Sequence, residues 1–137
     1  MPTHDLEHLT RHANAAVLEV AVFLRQEATR VQPGQIEEKH LNGLVSYVDR
    51  TAEEMLVERL GKLLPEAAFI TEEETVEQRK SADLCWIIDP LDGTTNYLYG
   101  LPHYSISVGL QAGGELLSGI VLHVPNNELF FAWRNGG

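Results

Sequence analysis

The spacing of apolar positions divides the chain into a helical first part and a strand-rich second part. From Asp5 to about Val31, residues Leu6, Leu9, Ala13, Ala16, Val17, Val20, Phe23 and Leu24 recur at steps of three and four, which predicts one long amphipathic helix. Thr3 or Asp5 can cap its start, and Pro33-Gly34 stops it. The polar stretch Gln35 to Asn42 then leads into a short apolar strand, Leu44 to Val48. Asp49 ends that strand and opens a second helix to about Leu64, with Thr51 and Glu54 at capping-box spacing. Met55, Leu56, Leu60, Leu63 and Leu64 supply its buried face.

Pro65 ends the second helix, and Ala67 to Ile70 reads as a short buried strand followed at once by the acidic run Glu72-Glu73-Glu74. Val76 to Asp83 is charged and weakly patterned, which predicts a mobile surface loop. Leu84 to Ile88 is a buried strand by length and β-branched content, ending at Asp89 because Pro90 cannot continue the ladder. His103 to Gln111 alternates, with Tyr104, Ile106, Val108 and Leu110 on one side. A turn at Ala112-Gly113-Gly114-Glu115, a return strand Leu116 to Val124, a turn at Pro125-Asn126-Asn127 and a strand Glu128 to Arg134 complete an antiparallel meander. Two helices followed by a meander predict an α+β fold rather than repeating βαβ units. Asn135-Gly136 is a strong hairpin signal with no strand after it, so the chain reads as a piece of a longer domain.

Composition narrows the functional classes. The 137 residues suffice for one sizeable core. Twenty acidic against ten basic residues give a formal net charge of −10, which argues against nucleic-acid and anionic-membrane partners. No apolar run approaches the roughly 20 residues that span a bilayer, and the N-terminus lacks signal-peptide features, so a cytoplasmic location is expected. Cys85, the single cysteine, lies inside an apolar run and reads as a small core side chain. His4, His8 and His12 fall on the solvated side of the first helix, with no carboxylate in view to complete a metal site.

The chemistry concentrates in Trp86-Ile87-Ile88-Asp89-Pro90-Leu91-Asp92-Gly93-Thr94-Thr95-Asn96-Tyr97. Asp89 and Asp92, three apart around a proline, can converge where a strand turns, and the Leu91 carbonyl lies outside the ladder. Oxygen donors of this kind suit a hard cation such as Mg²⁺, or two cations sharing a carboxylate. Gly93 lets the backbone come close, and Thr94-Thr95-Asn96 can open a helix whose first N–H groups face a phosphate. An EF-hand fails on spacing, because Leu91 and Gly100 fall where its third and twelfth ligands belong. The Asp-x-Asp loop of haloacid-dehalogenase-type phosphatases fails too, since the step here is three.

At these residues the sequence resembles the inositol monophosphatase family of metal-dependent sugar and nucleotide phosphatases. Asp89 to Tyr97, preceded by Trp86-Ile87-Ile88, looks like the family signature. Leu44 to Asp49 resembles the family's strand ending in aspartate, and Phe69-Ile70-Thr71-Glu72-Glu73 its Gly-Glu-Glu segment, with Thr71 in place of the glycine. The resemblance implies a layered αβαβα fold, of which residues 1–137 would be the N-terminal, metal-binding portion: two helices plus an antiparallel sheet.

It also implies roles. Glu72, Asp89 and the Leu91 carbonyl would hold a first Mg²⁺, and Asp89 with Asp92 a second. Thr94, paired with Asp49 and assisted by Glu72, would activate water, while Asp92, Gly93, Thr94 and Thr95 would bind the substrate. The activity implied is phosphomonoester hydrolysis on a small polyol or sugar phosphate, with inositol monophosphate as the default and a homodimer as the assembly. Fructose-1,6-bisphosphatase or 3′(2′),5′-bisphosphate nucleotidase activity, or a truncated paralogue serving as a non-catalytic interaction subunit, are the alternatives. The family's further aspartate ligand, in a Trp-Asp-x-Ala-type segment, has no counterpart here, because Trp133 is followed by Arg134.

Overall fold

A computed structural model describes residues 5–30, 38–79 and 83–136, apart from the side chains of residues 38–41. Helix α1 (Leu6–Ala28) starts at Asp5, whose Oδ1 accepts the His8 N–H at 3.1 Å, so the second of the two expected caps is the one used. The Pro33-Gly34 stop, His4 and Thr3 lie outside the described residues. His8 and His12 are exposed, as expected, with ring centroids 4.0 Å apart.

Helix α2 (Glu38–Leu63) corrects the sequence reading. The expected strand Leu44–Val48 is helical, and Asp49 sits in mid-helix, so Thr51 and Glu54 cap no start. The same holds for the resemblance, which matched this stretch to a strand. A five-residue apolar run is compatible with either structure. The burial sequence Val45, Val48, Ala52, Leu56, Leu60 advances by three and four, which is the stripe of one continuous helix.

The remaining elements are β1 (Ala68–Thr71), β2 (Leu84–Asp92), the short helix α3 (Thr94–Leu98), β3 (Ser105–Ala112), β4 (Glu115–His123) and β5 (Glu128–Trp133). They form one sheet in the order β1-β2-β3-β4-β5. From β2 to β5 the pairing is antiparallel, as the meander predicts, but β1 runs parallel to β2, so the sheet is mixed. The long connection between Thr71 and Leu84 permits this, because a parallel neighbour needs a crossover and not a tight turn. At the β3–β4 turn, Gly113 and Gly114 have φ of 55° and 84°, the paired positive values that a two-residue hairpin requires. The fold is α+β.

Helix α1 packs on β4 and β5, and α2 on β2. Trp86, Ile88, Ile106, Val108, Leu110, Ile120 and Leu122 fill the inner sheet face beneath them, and Cys85 is buried as expected. The opposite sheet face is open: Ile87, Leu116, Val121 and Phe130 are between 37% and 63% exposed. Among the described residues no helix is long and apolar enough to cross a membrane.

The helical assignment of residues 38–49 is testable at Gly43. A Cβ added there meets nothing within 4 Å, so Gly43→Ala is free of clashes. In a helix interior the exchange should stabilise the protein by about 0.5–1 kcal/mol. Unchanged or lower stability in urea denaturation would speak against the helix at this position.

Candidate functional site

The site forms where β1 ends beside β2. In the β1–β2 register Thr71 stands opposite Ile88, and the Glu72 N–H donates to the Ile88 carbonyl at 3.2 Å. The next residue on each side is an acid, so Glu72, just past the end of β1, is the neighbour of Asp89 within β2. Thr71, the departure from the family's glycine, is buried and clasped by Gln78. Gln78 accepts the Thr71 N–H at 2.6 Å and donates to its Oγ1 at 2.9 Å. That clasp ties Gln78, at the start of the segment that the sequence predicts as a surface loop, to the end of β1.

Strand β2 does not end at Asp89. Pairing passes from Asp89–Ser107 to Asp92–Ser105, three steps on β2 against two on β3, so one extra residue is absorbed in a bulge. Pro90 lies inside it, where its missing N–H breaks no ladder bond. In a regular strand, residues three apart face opposite ways. The bulge cancels that alternation, and Asp89 and Asp92 come to share the face of Ser105 and Ser107. This is the open face, along a groove of about 670 Å³ that Glu72 and Asp89 border together with Ile87, Leu116 and Phe130.

Beyond the bulge, Gly93 has φ of 97°, and a Cβ there would stand 2.8 Å from the His103 carbonyl oxygen, so only glycine fits. It begins α3 with no side-chain cap on the first N–H groups. Thr94 and Thr95, both exposed, open that helix, and the Thr94 hydroxyl donates to the Leu91 carbonyl at 3.1 Å. Among the described residues the Thr94 hydroxyl makes this bond and not the expected one to Asp49. Tyr97 anchors α3 from beneath, its hydroxyl donating to the Leu24 carbonyl at 2.9 Å and its ring set edge-on to Tyr104.

Asp49 reaches the site from α2. It is 6% exposed, and its pKa is pushed up to about 7, first by burial and then by Glu73, Asp89, Glu72 and Glu53. Asp89 is raised too, by burial above all, with Asp92, Glu72 and Glu53 adding to it and the Leu91 N–H opposing. Glu73 is raised by burial, then by Glu53 and Glu72, with Arg50 opposing. Glu53 is the residue that sequence reasoning missed. It is fully buried one helical turn after Asp49, and the signal for it was an acid inside the apolar stripe between Ala52 and Leu56.

Crowded carboxylates are the donor chemistry of a hard divalent cation, and the Leu91 carbonyl adds a neutral oxygen. Glu72, Asp89, Leu91 and Asp92 therefore fit Mg²⁺ by donor type. Among the described residues, however, no three acidic, histidine or cysteine side chains stand close enough to share one ion. Glu72 and Asp92 are exposed and have room to turn.

The model of the inositol monophosphatase family matches residues 5–137, so the chain belongs to that family. The chain is 40% identical over 124 residues to an inositol-1-monophosphatase of Rhizobium meliloti, covering 89% of this chain and 46% of that protein. It is 41% identical over 99 residues to the Nus factor SuhB of Pasteurella multocida, covering 72% and 37%. Among solved structures, the extragenic suppressor protein suhB of Bartonella henselae superposes with a TM-score of 0.75 at 28% identity, over 98% of this chain and 50% of that one. The inositol monophosphatase of Anabaena gives a TM-score of 0.78 at 25% identity, over 95% and 45%. The chain thus spans about half the length of the relatives it matches, or less.

The raised pKa of Asp49 makes stability depend on pH. Its folded value of about 7 lies above the ordinary 3.8, so the folded state holds a proton that the unfolded chain has released. Stability is then highest below pH 4 in this respect, falls as pH rises from about 4 to about 7, and levels off above that. In EDTA at pH 8, Asp49→Asn should be more stable than wild type by roughly 2–4 kcal/mol, and the gap should close near pH 4. Denaturant titrations at the two pH values measure both.

Proposed function

We propose that this chain carries the metal-binding portion of a Mg²⁺-dependent phosphomonoesterase acting on a small phosphorylated polyol or sugar, with inositol monophosphate first among them. The observation that carries this reading is the parallel register that sets Glu72 beside Asp89, with Asp49 buried within range of their charge and pushed up to about 7, by burial above all. Family membership and the 40% identity to an inositol-1-monophosphatase support it.

Glu72, Asp89 and the Leu91 carbonyl would hold one ion, and Asp89 with Asp92 a second. When bound, Mg²⁺ would neutralise part of this charge, polarise the phosphoryl group and make water more acidic. The Thr94 hydroxyl, donating its hydrogen bond to the Leu91 carbonyl, keeps its lone pairs to accept one from the attacking water. Glu72 would take the water's other proton as it attacks, and Asp49 would support Thr94. The uncapped N–H groups from Gly93 through Thr95 would bind phosphate oxygens, and Asp92 would contact the substrate.

In this reading residues 1–137 are the N-terminal part of a longer domain. A further aspartate ligand and the residues that choose among polyol, bisphosphate and nucleotide substrates would lie in the other part, and the assembly would be a homodimer. The formal charge of −10 supports a small-molecule partner over nucleic acid or membrane, and a cytoplasmic location goes with it. A second reading, a non-catalytic interaction subunit, is favoured by one feature: β5 ends the sheet as an edge strand beside the open apolar face.

Phosphate release from a panel of inositol, sugar and nucleotide phosphates, with and without Mg²⁺, separates the readings. The 137 residues alone should bind metal weakly and turn over little, whereas the same chain extended through its downstream reading frame should be active with Mg²⁺. In the extended chain Asp89→Asn should abolish turnover. Robust turnover by the 137 residues would overturn the incomplete-site reading, and full activity of Asp89→Asn would overturn the metal assignment.

A further inference from the structure

Glu53 has no part in the roles assigned above, yet it is the most deeply buried acid of the site, with 0% exposure. Three donors converge on its two oxygens. The Glu73 N–H donates to Oε1 at 2.7 Å, the Thr75 N–H to Oε2 at 2.7 Å, and the Thr75 hydroxyl to Oε2 at 2.6 Å. All three come from the segment that follows Glu72. Between the two amide donors, Glu74 takes φ of 53°, a left-handed conformation that side chains other than glycine adopt at some cost. Turning the backbone this way lets alternate N–H groups cradle one anion, the geometry of a nest, here filled by a side chain of the protein itself.

A buried carboxylate and a left-handed glutamate are both unfavourable alone. Each is explained by the other, since the charge-assisted hydrogen bonds exist only in this backbone conformation. Aliphatic packing could fasten a loop to a helix without placing a charge there. Glu53 instead adds negative charge directly behind Asp49, Glu73 and Asp89, all of which it pushes toward protonation.

We propose that Glu53 is the positioning residue of this site: from within α2 it clamps residues 73–75, which fixes where Glu72 stands beside Asp89 and how tightly the site takes a divalent cation. The proposal rests on the metal-binding reading given above. It separates two functions of the acids, an inner one that shapes the loop and an outer set that meets the ion.

The test uses the whole 137-residue chain, with Mn²⁺ as the probe and free Mn²⁺ followed by electron paramagnetic resonance. Glu53→Gln preserves shape but removes the charge and one acceptor, and should weaken Mn²⁺ binding about tenfold in protein shown to be folded by near-UV circular dichroism. Glu53→Asp, which keeps the charge at shorter reach, should fall between. In metal-free protein, amide exchange at Glu73 and Thr75 should quicken in Glu53→Gln while the amides of β3 and β4 stay protected. Should Glu53→Gln not fold, Thr75→Val, which deletes only the hydroxyl donor, should weaken binding roughly threefold. Wild-type affinity in Glu53→Gln, or in Thr75→Val where that is the variant read, would overturn the proposal even if melting temperature dropped, because Glu53 would then anchor structure alone. If wild type itself takes up no Mn²⁺, the metal-binding reading fails and this proposal with it, whereas uptake that is equal in wild type and variant overturns this proposal only.

Discussion

Mutual repulsion among carboxylates, most of them partly or wholly withdrawn from water, is the constraint to which the rest of this molecule answers. Burial raises the proton affinity of Asp49, Glu73 and Asp89, and these three, with Glu53, Glu72 and Asp92 around them, raise it further by their charge. Arg50 opposes the effect at Glu73. Left to itself such a cluster would push the segments carrying it apart. The packing must therefore hold those segments together against this repulsion, Glu53 through its bonds to Glu73 and Thr75 and the rest by means that do not involve the acids, and the stability so invested is what a bound cation would return.

Those means can be identified. The Glu72 end of β1 is tied by a backbone bond to Ile88 and by the Gln78 clasp on Thr71. The Asp92 side is tied by the ladder to β3 and by Tyr97, which reaches through the core to the Leu24 carbonyl of α1. Asp49 and Glu53 are carried by α2, whose apolar stripe is seated on β2. Three elements distant in sequence thus deliver acids to one place, secured by hydrophobic packing and neutral hydrogen bonds, with the Glu53 clasp added between α2 and the segment after β1. Such an arrangement suits a centre that gives up part of its own stability to bind charge.

The strands of the meander, with Tyr104, Ile106, Val108 and Leu110 facing the core, were legible in the sequence because period-two alternation and a Gly-Gly turn are local signals. So was the concentration of chemistry between Trp86 and Tyr97. Leu44–Val48 was misread because five apolar residues satisfy either period, and the longer stripe from Val45 to Leu60 was broken in the reading at Asp49. An acid there suggests a helix start, but in this fold it is a mid-helix group aimed at the site. Glu53 and Gln78 escaped for a related reason. Their importance lies in hydrogen bonds to residues about 20 and 7 positions away, which no periodicity encodes.

The bulge at Pro90 and Leu91 has a consequence for which changes this region can accept. A strand keeps a parity: adding or removing one residue exchanges its two faces for everything beyond that point. With the extra residue, Trp86 and Ile88 lie inward while Asp89 and Asp92 both lie outward. Were the same residues laid out as a regular strand, with no bulge, one aspartate would be driven beneath the helices, among apolar side chains. The three-residue step from Asp89 to Asp92 therefore serves one face only together with the irregular pairing that Pro90 tolerates. In this stretch the break in the ladder itself behaves as a functional residue.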